Sequence, residues 1–233
     1  MAQWLSQEQV ATFGQQGFVV VENVLTKAEI TRSLEECDRL QESVAEQTTS
    51  RGRFNMEAPE GGFHGQRTRQ DAYKGVLRKV QDVVDESPWF ADLSRDIRFK
   101  EMLGGLLGDN LLLTTSVLWY KPPEIGSPKP WHQDYAYFTD REAADITVWI
   151  ALDEATQENG CVQCISGSHL RGLVPHHGAE LQIDPASLDL TNRVYCELKP
   201  GSAVLFHCLT IHNTDSNTSK HSRRALTLRY APA

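Results

Sequence analysis

Mainly β structure with flanking helices is what this sequence predicts, on three observations. The pattern changes at Gly108: ahead of it apolar residues recur at helical spacing, and beyond it they come in short β-branched or aromatic runs. Those runs (LLLTTSVLWY, ITVWIAL, CVQCIS, AVLFHCLTIH and ALTLRYA) are separated by clusters of Gly, Pro, Asn and Asp, the punctuation of antiparallel strands. The chain has 233 residues, 40% of them hydrophobic and 23% charged, which suits one domain with a large core. Many short strands after a helical section imply a closed or sandwiched antiparallel structure, a jelly-roll or cupin-like core packed against N-terminal helices. Residues 1–108 are read as largely helical support and 109–233 as the β core, within one domain spanning 1–233.

Ser6 with Gln9 and Thr26 with Glu29 fit the capping box, in which two side chains satisfy the free amides that open a helix. Ile30, Leu34, Cys37 and Val44 keep helical spacing after the second cap. Between the two helices, FVVVENVL is a short β-type run. Residues 46–70 are polar and rich in Gly and turn formers, so they are expected to form a loop and a candidate lid, and residues 46–76 and 171–195 are expected to shape the substrate pocket. DIRFKEMLGGLLG is a further helix, stopped by Gly108. Pro130, Asn159-Gly160 and Pro200-Gly201 mark turns between strands.

A net charge of -8 argues against a nucleic-acid partner, and no apolar run is long enough to span a bilayer. The opening MAQWLSQEQV has neither a basic region nor an apolar signal core, so a cytoplasmic location is expected. Five scattered cysteines fit a reducing compartment. Cys161 and Cys164 spell CxxC, but on a strand that offset sends them to opposite faces, and no second pair completes a zinc site. They are expected to be buried structural thiols.

The chemistry starts at WHQDYAYF. On a strand, His132 and Asp134 share a face, and an imidazole with a carboxylate makes two thirds of the facial triad that binds non-haem Fe(II). A bare His-x-Asp arises readily by chance, so a third ligand has to be found. His212 stands just past the apolar run AVLFHCLTIH, where it could project into a barrel mouth. His207, five residues earlier, faces the other way on a regular strand, while His169 and the His176-His177 pair sit in turn-rich sequence. Arg223 opens RRALTLRY. If the two strands form a hairpin, it comes near His212, and a guanidinium there could hold a carboxylate by two parallel hydrogen bonds. The alternative is a surface arginine beside Arg224.

In order along the chain, KVQD (79–82), YKPP (120–123), HQD (132–134), ENGCVQCISGSH (158–169) and LFHCLTIHNT (205–214), with Arg223 beyond them, resemble the phytanoyl-CoA dioxygenase family. The opening LSQEQVATFGQQGFVVVENVLTKAEI also looks like that family's N-terminal segment, so the resemblance covers nearly the whole chain. It implies a double-stranded β-helix, the jelly-roll variant, and an Fe(II)- and 2-oxoglutarate-dependent oxygenase. By the same resemblance His132, Asp134 and His212 would be the iron ligands and Arg223 would pair with the distal carboxylate of 2-oxoglutarate. Lys79 and Trp149 match further cosubstrate contacts, Thr214 matches a hydroxyl position, and Gln133 would border the cosubstrate. The reaction implied consumes O2, releases succinate and CO2, and hydroxylates an unactivated C–H bond of a small organic metabolite. Asp134 favours hydroxylation over halogenation, because related halogenases carry a small residue there. A CoA thioester substrate is not expected: Arg51, Arg53, Arg67 and Arg69 are the nearest thing to a basic cluster and are a weak one. Two other readings remain, a cupin-like metal-binding hydrolase or isomerase and a non-catalytic small-molecule-binding barrel.

Overall fold

The computed structural model describes residues 4–58, 72–140 and 142–233. Helix α1 (Gln7–Gln16) and helix α2 (Lys27–Glu42) both begin at complete capping boxes, at Ser6/Gln9 and Thr26/Glu29. Each such cap stabilises its helix start by about 1 kcal/mol. Helices α3 (Pro88–Ser94) and α4 (Ile97–Leu107) follow, and the predicted stop at Gly108 ends α4.

Among the described residues eleven strands form two antiparallel sheets. They are β1 (Phe18–Val21), β2 (Phe54–Met56), β3 (Leu77–Gln81), β4 (Leu111–Lys121), β5 (Lys129–His132), β6 (Ile146–Ala151), β7 (Val162–Ile165), β8 (Arg193–Cys196), β9 (Ala203–His207), β10 (His212–Thr214) and β11 (Arg223–Pro232). The larger sheet runs β1-β9-β6-β11-β4-β3-β2 and the smaller β5-β10-β7-β8. The strands after Gly108, β9, β6, β11 and β4, lie side by side in the middle of the larger sheet. Residues 1–108 are not only helical support, because β1, β2 and β3 complete that sheet at its two edges. β2 also lies inside the segment expected to be an irregular loop; the rest of that candidate lid, with Arg67 and Arg69, falls on 59–71, outside the described residues.

The period-2 alternation of strands puts each face of the larger sheet to a different use. One face carries Leu118, Val148, Ile150, Leu226 and Leu228, which pack against Phe13, Leu40, Phe90 and Phe99 from the helices. The other face carries Trp149, Ala151, Val204, Phe206 and Ala225, which meet Val162 and Cys164 of the smaller sheet. The core thus has two layers, and the site lies in the inner one. Cys161 and Cys164 are buried free thiols within it. The Asn159-Gly160 turn leads into β7 with Gly160 at φ 81°, and a side chain there would strike the Asp215 carbonyl.

Candidate active site

Strands β5 and β10 pair so that His132 and His212 are direct partners. Their rings lie 4.2 Å apart between centroids. β5 stops at His132, and Asp134 opens a short 3-10 turn over Asp134–Tyr137. The shared face expected of His132 and Asp134 on one strand is therefore not how they meet. The turn, held by Tyr135 N–H donating to the Cys208 carbonyl at 3.0 Å, brings the carboxylate back to the imidazole. Asp134 Oδ1 sits 3.6 Å from His132 Nε2 and 3.8 Å from His212 Nε2. The three donor atoms lie within 4.8 Å of one another, and among the described residues no other group of three His, Cys, Asp or Glu side chains converges in this way.

Each ligand atom is oriented by a partner on its far side. His132 Nδ1 donates to the Pro130 carbonyl at 2.8 Å and His212 Nδ1 to the Thr210 carbonyl at 2.9 Å. A carbonyl only accepts, so both rings carry their proton on Nδ1 and turn a bare Nε2 toward the cluster. Asp134 Oδ2 accepts from Thr147 Oγ1 at 2.7 Å and pairs with Arg229 at 2.9 Å, which leaves Oδ1 for the cluster. Burial pushes the His132 pKa down to about 3, helped by His212 and Lys129, and burial likewise lowers His212. Burial alone would raise Asp134, but Arg229 and the two imidazoles outweigh it and hold the carboxyl well below its usual range. Two neutral imidazoles and one anionic oxygen are the protonation states a divalent metal requires.

The cavity behind this cluster leads to Arg223, and Trp149, Thr214, Asn213 and Lys121 share its wall. Arg223 is 1% exposed, its guanidinium lies 5.2 Å over the Trp149 ring, and its Nε has no hydrogen-bond partner. Burial lowers its pKa to about 9, so it remains a cation at neutral pH. Lys121, its cross-strand neighbour, donates to the carbonyls of Ser127 at 2.6 Å and Asp215 at 2.5 Å, and burial together with Arg223 lowers its pKa. The expected hairpin between His212 and Arg223 is absent: β10 and β11 belong to different sheets, and the two residues meet across the cavity. The run AVLFHCLTIH is likewise two strands, β9 and β10, so strand parity is not what separates His207 from His212. His207 stays outside the cluster because its Nδ1 accepts the Leu209 amide after the chain has turned.

Two residues expected to contact the cosubstrate do not line the Arg223 cavity. Gln133 spends its amide on the Gly172 and Leu209 carbonyls and the Val174 amide, bracing loops outside the cavity. Lys79 lines an adjoining outer cleft with His132, Asp134, Trp119 and Arg229. Sequence reasoning missed Thr147, Lys121 and Arg229. One signal was available for Arg229, since it stands an even number of positions after Arg223 in RRALTLRY and so shares its strand face.

Known proteins share this plan. A hypophosphite dioxygenase of Stutzerimonas stutzeri, described as probable and α-ketoglutarate-dependent, is 26% identical over 97% of this chain and 78% of its own. The peroxisomal phytanoyl-CoA dioxygenase of Bos taurus is 28% identical over 98% of this chain and 69% of its own. Among solved structures, EvdO2 from Micromonospora carbonacea var. aurantiaca complexed with 2-oxoglutarate superposes with a TM-score of 0.70 at 27% identity, over 98% of this chain and 91% of that one. EctD from S. alaskensis with 2-oxoglutarate and 5-hydroxyectoine does so at 0.76 and 23% identity, over 98% and 76%, a likeness of fold. The family model for phytanoyl-CoA dioxygenase matches residues 13–225, and on that match the chain belongs to this family of iron- and 2-oxoglutarate-dependent oxygenases.

Proposed function

We propose that the protein is a hydroxylase in which His132, Asp134 and His212 hold Fe(II) and Arg223 receives the distal carboxylate of 2-oxoglutarate. One observation carries the reading: a facial set of two imidazoles and one carboxylate opens onto the same cavity as a buried guanidinium whose Nε has no partner. A buried cation without an anion is costly, and a dicarboxylic keto acid removes that cost. A hydrolytic or isomerising metal site would leave Arg223 without a task.

His132, Asp134 and His212 would hold Fe(II) by three donor atoms, which would leave the ion free to take the keto acid and O2. Fe(II), 2-oxoglutarate and O2 together supply the oxidising equivalent, with succinate and CO2 released. The chain's own residues do the positioning. Thr147 and Arg229 keep Asp134 anionic and aimed by one oxygen. The Pro130 and Thr210 carbonyls fix the imidazole tautomers. Trp149 supports the Arg223 guanidinium by a cation–π contact, and Thr214 offers a hydroxyl to the same cavity. Asp134 would be the third metal ligand, at the position where related halogenases carry a small residue, and this supports hydroxylation.

The relatives are named for substrates as different as hypophosphite and phytanoyl-CoA, so a small-molecule substrate is what carries over. The five free cysteines support the cytoplasmic part of the reading. Among the described residues no helix is long and apolar enough to cross a membrane.

The test is anaerobic. Protein given Fe(II) and 2-oxoglutarate should show a weak visible metal-to-ligand charge-transfer band, absent from Asp134→Ala. Intact protein that never shows the band ends this reading.

A further inference from the structure

The residue between the two ligands of WHQDYAYF has each of its polar groups engaged. Gln133 is fully buried, and its side chain joins the Gly172 and Leu209 carbonyls and the Val174 amide. Leu209 lies in the turn between β9 and β10 that leads to His212. The Gln133 carbonyl accepts the Ala136 amide at 3.1 Å within the turn that carries Asp134. Its N–H, part of the peptide that joins it to His132, donates to His176 Nε2 at 3.0 Å. The acceptor is prepared for this. His176 Nδ1 donates to the Val174 carbonyl at 2.7 Å, so the ring is neutral with a bare Nε2, the tautomer that the two ligand imidazoles adopt. Burial lowers the His176 pKa, which keeps that lone pair free at neutral pH.

His176 belongs to a segment that follows the back of β5. Ile183 donates its amide to the Trp131 carbonyl at 2.8 Å and packs with Trp131, Ile165 and Ile211. The His177 and Gln182 backbones bond each other in both directions at 2.9 Å, which closes the segment on itself. Trp131 and Gln133 therefore meet this segment, while His132 lines the cavity. The aim of Asp134 relative to His132 depends on two rigid peptide planes, one on each side of Gln133. The 3-10 turn holds the second through Ala136, and His176 holds the first.

We infer that His176 is a positioning residue of the metal site, fixing the peptide between His132 and Gln133 so that the imidazole and the Asp134 carboxylate keep their mutual aim. This rests on the metal-binding reading above. The segment 171–195, expected to shape the substrate pocket, then serves the iron side of the site as well.

The experiment titrates the whole protein anaerobically with Fe(II), and with Co(II), whose visible ligand-field bands report the arrangement of donors. His176→Leu removes the acceptor and should weaken Fe(II) by about tenfold and alter the Co(II) bands. His176→Gln, whose Oε1 can take the place of Nε2, should stay within about threefold of wild type and restore the bands. His177→Leu, one position along and exposed, should change neither. Wild-type Fe(II) affinity or wild-type Co(II) bands in His176→Leu, a His176→Gln protein as impaired as His176→Leu, or an equal loss in His177→Leu overturns the inference. Should His176→Leu fail to fold, hydrogen exchange in the wild type decides. Coupling is reciprocal, so the backbone amides within 172–176 should exchange more slowly once Fe(II) is bound, and unchanged exchange there overturns the inference. Wild-type protein that binds no Fe(II) sinks the metal reading too, whereas every other failure leaves that reading standing.

Discussion

Arg223 and Arg224 are chain neighbours at the head of β11, yet the alternation of that strand sends them into opposite environments. Arg224 reaches Asp153 through Nε and NH2 at 2.8 and 3.0 Å and Asp38 through NH1 at 2.7 Å, and these partners raise its pKa against the effect of burial. Arg223, on the cavity side, has an aromatic ring beneath it, no partner for Nε, and a pKa lowered by burial. The difference continues along the strand. Thr227 and Arg229 line the cavity with Arg223, while Leu226 and Leu228 enter the core beneath the helices. The Arg224 cation is matched by the protein itself, whereas Arg223 is left for something the protein must capture. Residue type alone does not mark a binding arginine; the absence of an internal anion among the described residues does.

Three substitutions can break or sharpen that contrast. The largest effect is expected from Arg223→Met, which should weaken 2-oxoglutarate by roughly 10- to 100-fold, the worth of a charge-assisted bidentate pair. Iron content should be unchanged, and the ligand-free protein no less stable in urea, because a buried cation without its anion has been removed. Titrating the charge-transfer band measures the affinity, and an unaltered one would falsify the role given to Arg223. Next comes Thr147→Val, which takes one hydrogen bond from Asp134 Oδ2 and should cost about tenfold in Fe(II) affinity. Isothermal titration with Fe(II) under anaerobic conditions reads it, and intact affinity would mean that Arg229 orients the carboxylate unaided. The smallest effect belongs to Arg224→Met. It should lower stability by about 1–2 kcal/mol in urea melts while 2-oxoglutarate affinity stays the same. A change in affinity there would mean that the two faces of β11 are not independent.

The parts of this molecule governed by local rules were readable from sequence. Capping boxes at Ser6 and Thr26 and the terminal Gly108 depend on a few adjacent residues. His132 and Asp134 stood out because two ligand types two positions apart are visible in a single string. What depended on pairing between distant strands was not readable. Thr147 and Arg229 meet Asp134 only because β6 and β11 are neighbours in register, Thr147 opposite Arg229. Lys121 comes to Arg223 through the β4–β11 pairing. Strand parity sets His207 apart from His212 in the sequence, whereas the chain in fact breaks between β9 and β10. Gln133 sits inside the HQD string, but its neighbours in space are carbonyls from two loops far along the chain.

The pairing of His132 with His212 has a consequence for how the protein is made. A single ion fastening those rings would rivet together segments separated by all of residues 133–211, restricting the unfolded chain as a crosslink does. A slip of one residue in β5 or β10 would turn an imidazole to the opposite side of the sheet and lose the clasp. Iron uptake would then serve as an inspection step, since a chain whose short sheet had closed out of register would lack the paired imidazoles.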